Sequence, residues 1–470
     1  MKIIKWKIGD NKPIVEDQLA VAIGNFDGIH QGHIKLLNEC KIQAKADNLS
    51  FGVVTFDPHP RDFFNPKNPS FKLLDAEEKE TLLCEIGVKH LIIIEFNEQL
   101  KNCNGEDLIK AIATSYETQL RLSLSIALNP NRIDHVGHLG PAITSGIGNL
   151  LKLDTETIYQ AIQWSAHTST FTRQGRKGKL SSWKAYAPGL VGKNSIDAID
   201  RAMRGDTSPS PVWEGDYGII QILLKNNRGE IKIELPESNE PRQGILNTFT
   251  KEHSAGYHGN SLIDLAFEMR KKVTDTKEIK KINIFTKEYT HVVMGSGSND
   301  KEKYSSEASR ETLDHSAMYI FAVALEDGKW HHEESYAESR KKRKETVELW
   351  NKIETFESSE WNQKYYNEVD PLKKAQGAKV EIIFNNGDKI VDQLDFANAH
   401  PNGKTPFVRE NYLNKMKKLF TNIVDEKEEK RFINLIDNLG NLTQDEVKRL
   451  NINCKNGYIN LDKNKIKGIF

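Results

Sequence analysis

The chain has 470 residues, which is enough for two to four domains of ordinary size. Its 66 lysines and arginines balance 66 aspartates and glutamates, which removes the basic excess that marks many nucleic-acid-binding proteins. The four cysteines are scattered and form no C-x-x-C pair, which argues against a zinc, iron–sulfur or dithiol site and fits a reducing compartment.

The first ten residues lack the apolar core and cleavage site of a signal peptide, and no apolar run reaches membrane-spanning length. We therefore expect a cytoplasmic protein with neither a membrane nor a nucleic-acid partner. Short β-branched runs then alternate with helical patterns, and strands are predicted at Leu19–Ile23, 51–56 and His90–Glu95. This rhythm predicts a partial, parallel α/β sheet of three strands, Rossmann-like and separate from the rest of the chain.

A glycine-rich motif, GNFDGIHQGH at 24–33, lies between the first predicted strand and a helical pattern. Glycines let the backbone approach an anion, the helix N-terminus attracts negative charge, and His30 and His33 can donate to phosphate oxygens. The motif therefore predicts a phosphate site. The alternative is a structural glycine turn that carries two surface histidines.

The motif, together with TFDPHP at 55–60, Phe63-Phe64, Glu78-Lys79 and IEF at 94–96, resembles the nucleotidyltransferase domain of bacterial bifunctional riboflavin kinase/FAD synthetases. The match ends near residue 101, before that family's serine/threonine-rich phosphate element, and no riboflavin kinase module follows. The resemblance implies a truncated fragment, 1–101, with vestigial binding of ATP/Mg and flavin. The nucleotide-binding residues that it implies are Gly24, Asn25, Asp27, His30, Gly32 and His33.

Beyond Cys103 the pattern becomes helical. Apolar residues from Leu108 to Leu120 recur at three- and four-residue intervals, and helices are also predicted at 139–153 and 155–165, the latter capped by Asp154. From about Lys251 the pattern is mixed, with an extended segment at 282–285 and a hairpin at 379–394 that turns at Asn386-Gly387. Helices return from about Arg409. This order predicts an all-α helical domain that is interrupted by an α+β insertion.

Three clusters in the helical region mix basic or titratable residues with glycines, as expected where an anion is bound and a proton is moved. DHVGH at 134–138 offers His135, which is equally well explained as a core or capping histidine. TRQGRKGK at 172–179 offers Arg173 and Arg176 for carboxylate binding, although most such charge runs are solvated loops. SSWK at 181–184 offers Lys184, either partly buried and reactive or at the surface.

Two further clusters follow at and beyond the predicted domain boundary. Lys251 and Tyr257-His258 lie where ligand sites often form. ETLDHSAMY at 311–319 puts His315 and Tyr319 four residues apart, able to point together from one helix face. Helix packing explains the same spacing equally well.

Together these segments, with WEG at 213–215, AHP at 399–401 and RENY at 409–412, resemble the 2-methylcitrate dehydratases of the MmgE/PrpD family over about 104–470. The resemblance implies a helical domain at 104–248, an α+β lid at 249–397 and C-terminal helices at 398–470 that complete the helical domain. It also implies a homodimer and a hydro-lyase that removes water from 2-methylcitrate, a tricarboxylate of the propionate cycle, without metal or cofactor. The residues that it implies are catalytic His135, Lys184, His258 and Tyr319, and substrate-binding Arg173, Arg176, Lys251 and His315.

The family's N-terminal segment, which contributes aspartates and a histidine to the active site, is replaced here by the nucleotidyltransferase fragment. The resemblance therefore implies impaired activity. Two other interpretations remain open: nucleotide binding or adenylyl transfer by the N-terminal fragment, and a non-catalytic fusion or gene-model artefact that joins two reading frames near Asn102.

Overall fold

The computed structural model describes residues 1–7, 15, 17–57, 74–95, 103–224, 231–237 and 240–455. Several positions named above, from Pro58 to Phe64, Phe96, Asn102 and the chain beyond 455, lie outside these residues. The chain divides into two compact units, Met1–Gly105 and Glu106–Phe470.

The first unit is a parallel sheet with two helices. Its strands are β1 (Lys2–Lys7), β2 (Leu19–Ile23), β3 (Ser50–Phe56) and β4 (His90–Glu95), and its helices are α1 (Gln31–Ala46) and α2 (Ala76–Ile86). The strand order is β1-β4-β3-β2, and each neighbouring pair is parallel. The parallel α/β sheet is confirmed, but the expected number of three strands is wrong. Strand β1 was missed because its sequence, KIIKWK, carries lysines at three of six positions.

The second unit begins with helices that pack closely on one another. They are α3 (Gly105–Ser125), α4 (Leu139–Leu150), α5 (Thr155–Ser169), α6 (Trp183–Met203) and the short α7 (Ile219–Ile222). The predicted cap is present, since Asp154 accepts a hydrogen bond from the Thr157 amide at 2.9 Å. Helix α4 approaches α5 so closely that a Cβ at Gly140 would lie 2.9 Å from the Ser165 carbonyl oxygen. Small residues thus set the distance between these helices.

A second sheet follows in the same unit. It contains β5 (Ile279–Thr286), β6 (Ile353–Glu357), β7 (Ala378–Phe384) and β8 (Lys389–Leu394), in the order β6-β5-β7-β8. Strands β5 and β6 are parallel, and the other two pairs are antiparallel. The β7–β8 hairpin is confirmed; Gly387 in its turn has a φ of 93°, which glycine adopts without strain.

Helices surround this sheet and continue beyond it. Around the sheet they are α8 (Tyr257–Arg270), α9 (Glu288–Val293), α10 (Arg310–Leu313), α11 (Ala317–Asp327), α12 (Glu338–Lys341), α13 (Lys344–Trp350) and α14 (Ser359–Tyr366). The largest apolar core lies here, where α8 and α11 pack on the sheet and the α11 side chains from Ala317 to Leu325 are fully buried. The last helices are α15 (Arg409–Phe420), α16 (Glu426–Asp437) and α17 (Gln444–Val447). No helix in the described ranges is both long and apolar enough to cross a membrane.

Candidate active site

Two of the predicted clusters are joined by a single β-bridge between Ile133 and Thr172. On either side of it, the Asp134 amide donates to the Phe171 carbonyl and the Arg173 amide donates to the Arg132 carbonyl, each at 2.8 Å. The chain leaves this bridge in two 3-10 turns, His135–His138 and Arg173–Arg176. Residues almost forty positions apart in the sequence are therefore held side by side.

Asp134 organises this pair of turns. Its carboxylate is fully buried, accepts from Arg176 Nε at 2.8 Å and lies 3.1 Å from His135 Nδ1. The Asp134 side chain also accepts from the Val136 amide, which fixes its own orientation. One buried carboxylate thus neutralises the Arg176 guanidinium and orients the His135 imidazole.

The segment before α6 is attached to the α10 region by two hydrogen bonds. The Leu180 amide donates to Thr312 Oγ1 at 3.1 Å, and Ser309 Oγ donates to the Leu180 carbonyl at 2.7 Å. Helix α6 starts three residues later, and Lys184 lies in its first turn. Its side chain therefore points toward the turn between α10 and α11.

Three ionisable side chains meet at that turn, which we call the Lys–Asp–His cluster: Lys184, Asp314 and His315. Asp314 Oδ1 makes short contacts with both Lys184 Nζ and His315 Nδ1, and Lys184 Nζ lies 2.8 Å from His315 Nδ1. Lys184 Nζ also donates to the Glu311 carbonyl at 3.0 Å. The lysine and aspartate side chains are 11% and 15% exposed, and the histidine is 28% exposed. The three groups can therefore share protons, while part of the imidazole faces solvent.

Electrostatics keep the cluster poised between protonation states. Burial lowers the pKa of Lys184 and of His315, and Asp314 opposes both effects. Burial tends to raise the pKa of Asp314, but its bonds to His315 and Lys184 outweigh that effect and leave this pKa below its usual range. Each cation is thus easier to deprotonate than in water, as proton transfer near neutral pH requires.

His258, at the start of α8, lies next to this cluster. Burial, followed by Lys287, His315 and Lys251, holds the pKa of His258 well below its ordinary value. The imidazole is therefore neutral at pH 7. Its ring centroid lies 5.2 Å from that of Tyr289, and its Nδ1 has no hydrogen-bond partner in the described part of the chain.

Several cations lie within electrostatic range of His135 and of Lys184. The His135 side chain is 65% exposed, and its pKa is lowered, first by the partial loss of hydration next to the protein and further by Arg176, Lys251 and Arg173, against the opposing effect of Asp134. Lys251 also depresses the pKa of Lys184, which places it within electrostatic range of both clusters. Arg173 and Arg176 line a cavity of about 780 Å³. The structure thus brings the predicted cationic residues to one region.

Tyr319, which the resemblance places among the catalytic residues, does not lie in this region. The Ser316 side chain accepts from the Tyr319 amide and caps α11, so that His315 lies before the helix and not on its face. The tyrosine is fully buried in the core, and its hydroxyl donates to the Ser335 carbonyl at 2.6 Å. The four-residue spacing therefore reflects packing.

In the first unit, the motif at 24–33 forms the predicted turn from strand to helix. His30 is the N-cap of α1; its Nδ1 accepts from the His33 amide at 3.3 Å, and the two rings stack 3.8 Å apart. Gly28 has a φ of 71°. Asn25 Oδ1 and His33 Nδ1 are buried without a hydrogen-bond partner among the described residues. Two other residues of the expected nucleotide site are Gly32 and Asp27. Gly32 lies in the first turn of α1, and Asp27 Oδ1 accepts from the Leu74 amide at 3.2 Å.

One group in the described residues has the spacing of metal ligands: Glu252, His253 and Asp264. The two Asp264 oxygens are already engaged, by His253 Nε2 at 2.9 Å and by the Asn398 amide at 2.7 Å. These bonds explain the group as a structural link between α8 and the segment near residue 398. It carries no assignment as a metal site.

Sequence reasoning missed Asp134 and Asp314 as the carboxylates that hold each cluster together. Both stand directly before a histidine that was selected, and an Asp-His pair was the available signal. It also missed Lys303, a buried lysine whose ammonium donates to the His315 carbonyl at 3.0 Å. Nothing in the polar sequence around Lys303 distinguishes it from a surface lysine.

The chain thus contains two different units. The first is a parallel α/β sheet in which strand β2 leads into a histidine-containing turn. The second is a helical and mixed-sheet unit that holds the Lys–Asp–His cluster. Comparison with known families agrees with this division. The family described as MmgE/PrpD N-terminal domain matches residues 93–232, MmgE/PrpD C-terminal domain matches 253–441, and FAD synthetase matches 12–120. The larger part of the chain belongs to the MmgE/PrpD family, and an FAD synthetase domain precedes it.

Known relatives of the first part are bifunctional riboflavin kinase/FMN adenylyltransferases. The chain is 34% identical to that of Buchnera aphidicola subsp. Schizaphis graminum over 98 residues, 21% of this chain and 31% of the relative. It is 27% identical to that of Escherichia coli strain K12 over 116 residues, 25% and 37% of the two chains. The chain thus spans about a third of the length of these relatives. A solved macrolide-efflux protein of Streptococcus pneumoniae aligns over 22% of this chain and 40% of that chain at 29% identity, with a TM-score of 0.20 that is too low to assign a fold.

The two matches overlap over residues 93–120, whereas the sequence motifs placed their meeting point near residue 102. The overlap includes most of α3, which starts the second compact unit. Lys184 lies in the N-terminal MmgE/PrpD match, and Asp314 and His315 lie in the C-terminal match. The Lys–Asp–His cluster is therefore built from both domains of that family.

Proposed function

We propose that the MmgE/PrpD part of the chain is a hydro-lyase of the 2-methylcitrate dehydratase type, which removes water from a tricarboxylate. The Lys–Asp–His cluster is the observation that carries this proposal. It offers buried groups that hold transferable protons beside cations that suit carboxylates.

Dehydration needs a base and an acid in one place. The base takes a proton from the carbon next to a carboxylate, the electron pair of that C–H bond forms the C=C bond, and the hydroxyl group leaves as water after it receives a proton. His258 is neutral at pH 7 and is suited to the first task. His315 can deliver a proton that Lys184 replaces through their 2.8 Å contact. His135 is the other candidate for either role.

Cations in the same region would neutralise the substrate. Arg173, Arg176 and Lys251 lie within electrostatic range of His135 and carry the charge that three carboxylates require. Lys184 is poorly placed to clamp substrate, because its ammonium is directed at three protein acceptors. We assign it to proton transfer.

The test follows formation of the unsaturated product by ultraviolet absorbance, with 2-methylcitrate as substrate. We expect Lys184→Met to abolish turnover, and Lys193→Met, an exposed lysine of the same helix, to leave it unchanged. We expect Arg173→Met to weaken binding of 2-methylcitrate, measured by calorimetry, by about tenfold or more. Measurable turnover that is equal in the two lysine variants would contradict the proposal.

We further propose that the chain dehydrates 2-methylcitrate far more slowly than a family member with the complete N-terminal segment, or not at all. Residues that act as one catalytic unit lose activity together when some are missing. The comparison uses this chain and a version in which the family's N-terminal helices replace residues 1–101. Equal turnover by the two proteins would show that this chain supplies the missing groups in another way.

The domain bounds and the homodimer are kept as parts of the same proposal. The bounds 104–248, 249–397 and 398–470 follow the family resemblance. A homodimer would cover apolar side chains that α3 leaves exposed, among them Ile112 and Leu124. Sedimentation at micromolar concentration, with a monomer as the contradicting result, tests the assembly.

A second proposed function belongs to the first unit, which we infer binds the phosphates of ATP at the start of α1. Asn25 Oδ1 and His33 Nδ1 are buried and unsatisfied within the described residues, and the N-terminus of a 16-residue helix favours negative charge. Flavin binding and adenylyl transfer are the wider activities of the relatives. Calorimetry with ATP and Mg tests binding; identical titrations for the chain and a His30→Ala/His33→Ala variant would contradict it.

A further inference from the structure

Lys303 is a buried cation directly behind the Lys–Asp–His cluster. The residue is 3% exposed, and its ammonium donates to the His315 carbonyl at 3.0 Å. A lysine is almost never buried to this extent unless something compensates the charge. The position of Lys303 therefore indicates a role beyond packing.

The backbone of Lys303 is fixed from several directions. The Lys303 carbonyl accepts from Trp350 Nε1 at 2.9 Å and from Ser316 Oγ at 2.8 Å, and the Lys303 amide donates to the Asp300 carbonyl. Ser316 and Trp350 are themselves fully buried. Both ends of Lys303 thus hold the turn that carries His315, one through the ammonium and the other through the backbone.

The charges around this turn come from several elements. His315 is faced by Asp314 of its own turn, by Lys184 of α6 and by Lys303, and it in turn affects His258 of α8. Lys303 is faced by Asp300, Lys177, Lys184 and Asp314. Arg310 of α10 also lies 4.0 Å from Asp314. Lys303 has no place in the proposed chemistry, and it is 3% exposed, whereas the Lys177 and Arg310 side chains are 52% and 46% exposed.

We propose that Lys303 is a positioning residue that locks the Asp314–His315 turn and, through its charge, favours release of the proton that Lys184, Asp314 and His315 share. This inference rests on the proposed function, since it assigns to Lys303 the control of that site's proton. It adds a residue that does not touch the substrate.

The test is an NMR titration of His315 in the whole chain, with 13C-labelled histidine and a His315→Gln variant to assign the signal. In Lys303→Gln the side chain keeps a donor for the His315 carbonyl and loses its charge. We expect the His315 midpoint to rise in this variant, because a positive charge that opposed protonation is gone. Lys341→Gln is the matched control: Lys341 is 5% exposed and donates to the Ala308 carbonyl at 3.0 Å, away from the cluster.

A measurement on the unchanged chain makes the inference testable even if Lys303→Gln does not fold. Burial lowers the pKa of Lys303 to about 8, so the His315 signal should show a second, smaller step near that pH as Lys303 loses its charge. Absence of this step, or equal His315 midpoints in Lys303→Gln and Lys341→Gln, would overturn the inference. Because the titration needs no turnover, failure of the proposed dehydration would appear separately in the absorbance assay.

Discussion

Replacing Asp314 by asparagine should destabilise the second unit by an amount that depends on pH. Asp314 Oδ1 is the acceptor shared by Lys184 and His315, and the lysine side chain is only 11% exposed. Without the carboxylate, Lys184 either keeps an uncompensated buried charge, at a cost of about 3–5 kcal/mol, or loses its proton.

Loss of the Lys184 proton sets the upper limit of the destabilisation. An unfolded lysine has a pKa of about 10.4, so holding it neutral costs about 4.6 kcal/mol at pH 7 and about 1.9 kcal/mol at pH 9. In this variant the unfolded chain then binds one more proton than the folded chain. The free energy of unfolding therefore rises as the pH rises toward the pKa of Lys184 in the unfolded chain. We expect Asp314→Asn to cost about 3–4.5 kcal/mol at pH 7 and about 2 kcal/mol or less at pH 9.

The assay is urea unfolding at both pH values, followed by tryptophan fluorescence. Asp200→Asn is the matched control, because Asp200 forms an exposed pair with Arg204 and should cost less than about 0.5 kcal/mol at either pH. The double variant Asp314→Asn/Lys184→Met should recover most of the lost stability, since no buried charge remains. A loss that is the same at pH 7 and pH 9 would refute the reasoning.

Three further outcomes are expected. Tyr319→Phe should lower the free energy of unfolding by about 1–2 kcal/mol, because a buried carbonyl loses its donor, and should leave binding of 2-methylcitrate within a factor of about two; tenfold weaker binding would return Tyr319 to the site. Gly140→Ala should lower the free energy of unfolding by about 1–3 kcal/mol in the same assay. Gly192→Ala, where a Cβ meets open space, should not lower it. Equal losses in the two variants would contradict the close approach of α4 and α5. His30→Ala/His33→Ala should lower ATP affinity at least severalfold in calorimetry without changing dehydration; unchanged affinity would show that the stacked pair is structural.

Periodicity and turn chemistry were sufficient to predict much of the fold. The Asp154 cap, the Asn386-Gly387 turn and the strands β2, β3 and β4 each carry a local signal, because a single residue type or a short apolar run determines the backbone there. Strand β1 carries none, since it is an edge strand stabilised by pairing with β4 rather than by its own pattern.

The residues of the candidate site could be selected from the sequence, but their arrangement could not. His135, His258 and Lys184 were selected from motifs, whereas the partners that decide their chemistry are tertiary. Asp314 contacts both Lys184 and His315 because α6 is attached to the α10 region. Lys303 is held in the interior because Trp350 and Ser316 bind its backbone carbonyl. For Tyr319 the sequence left two explanations open, a helix face shared with His315 or packing, and packing applies because the hydroxyl of Ser316 caps a new helix after His315.

The two hydrogen bonds at Leu180 have a consequence for how this protein can be divided. Lys184 comes from one family domain and Asp314 and His315 from the other, and Leu180 with Ser309 and Thr312 is the joint that brings them into register. If the protein is split between these domains, for instance in the segment near residue 240, neither fragment has a proton-sharing cluster of its own. The cluster then exists only in the reassembled pair, so its titration would serve as a reporter of fragment complementation.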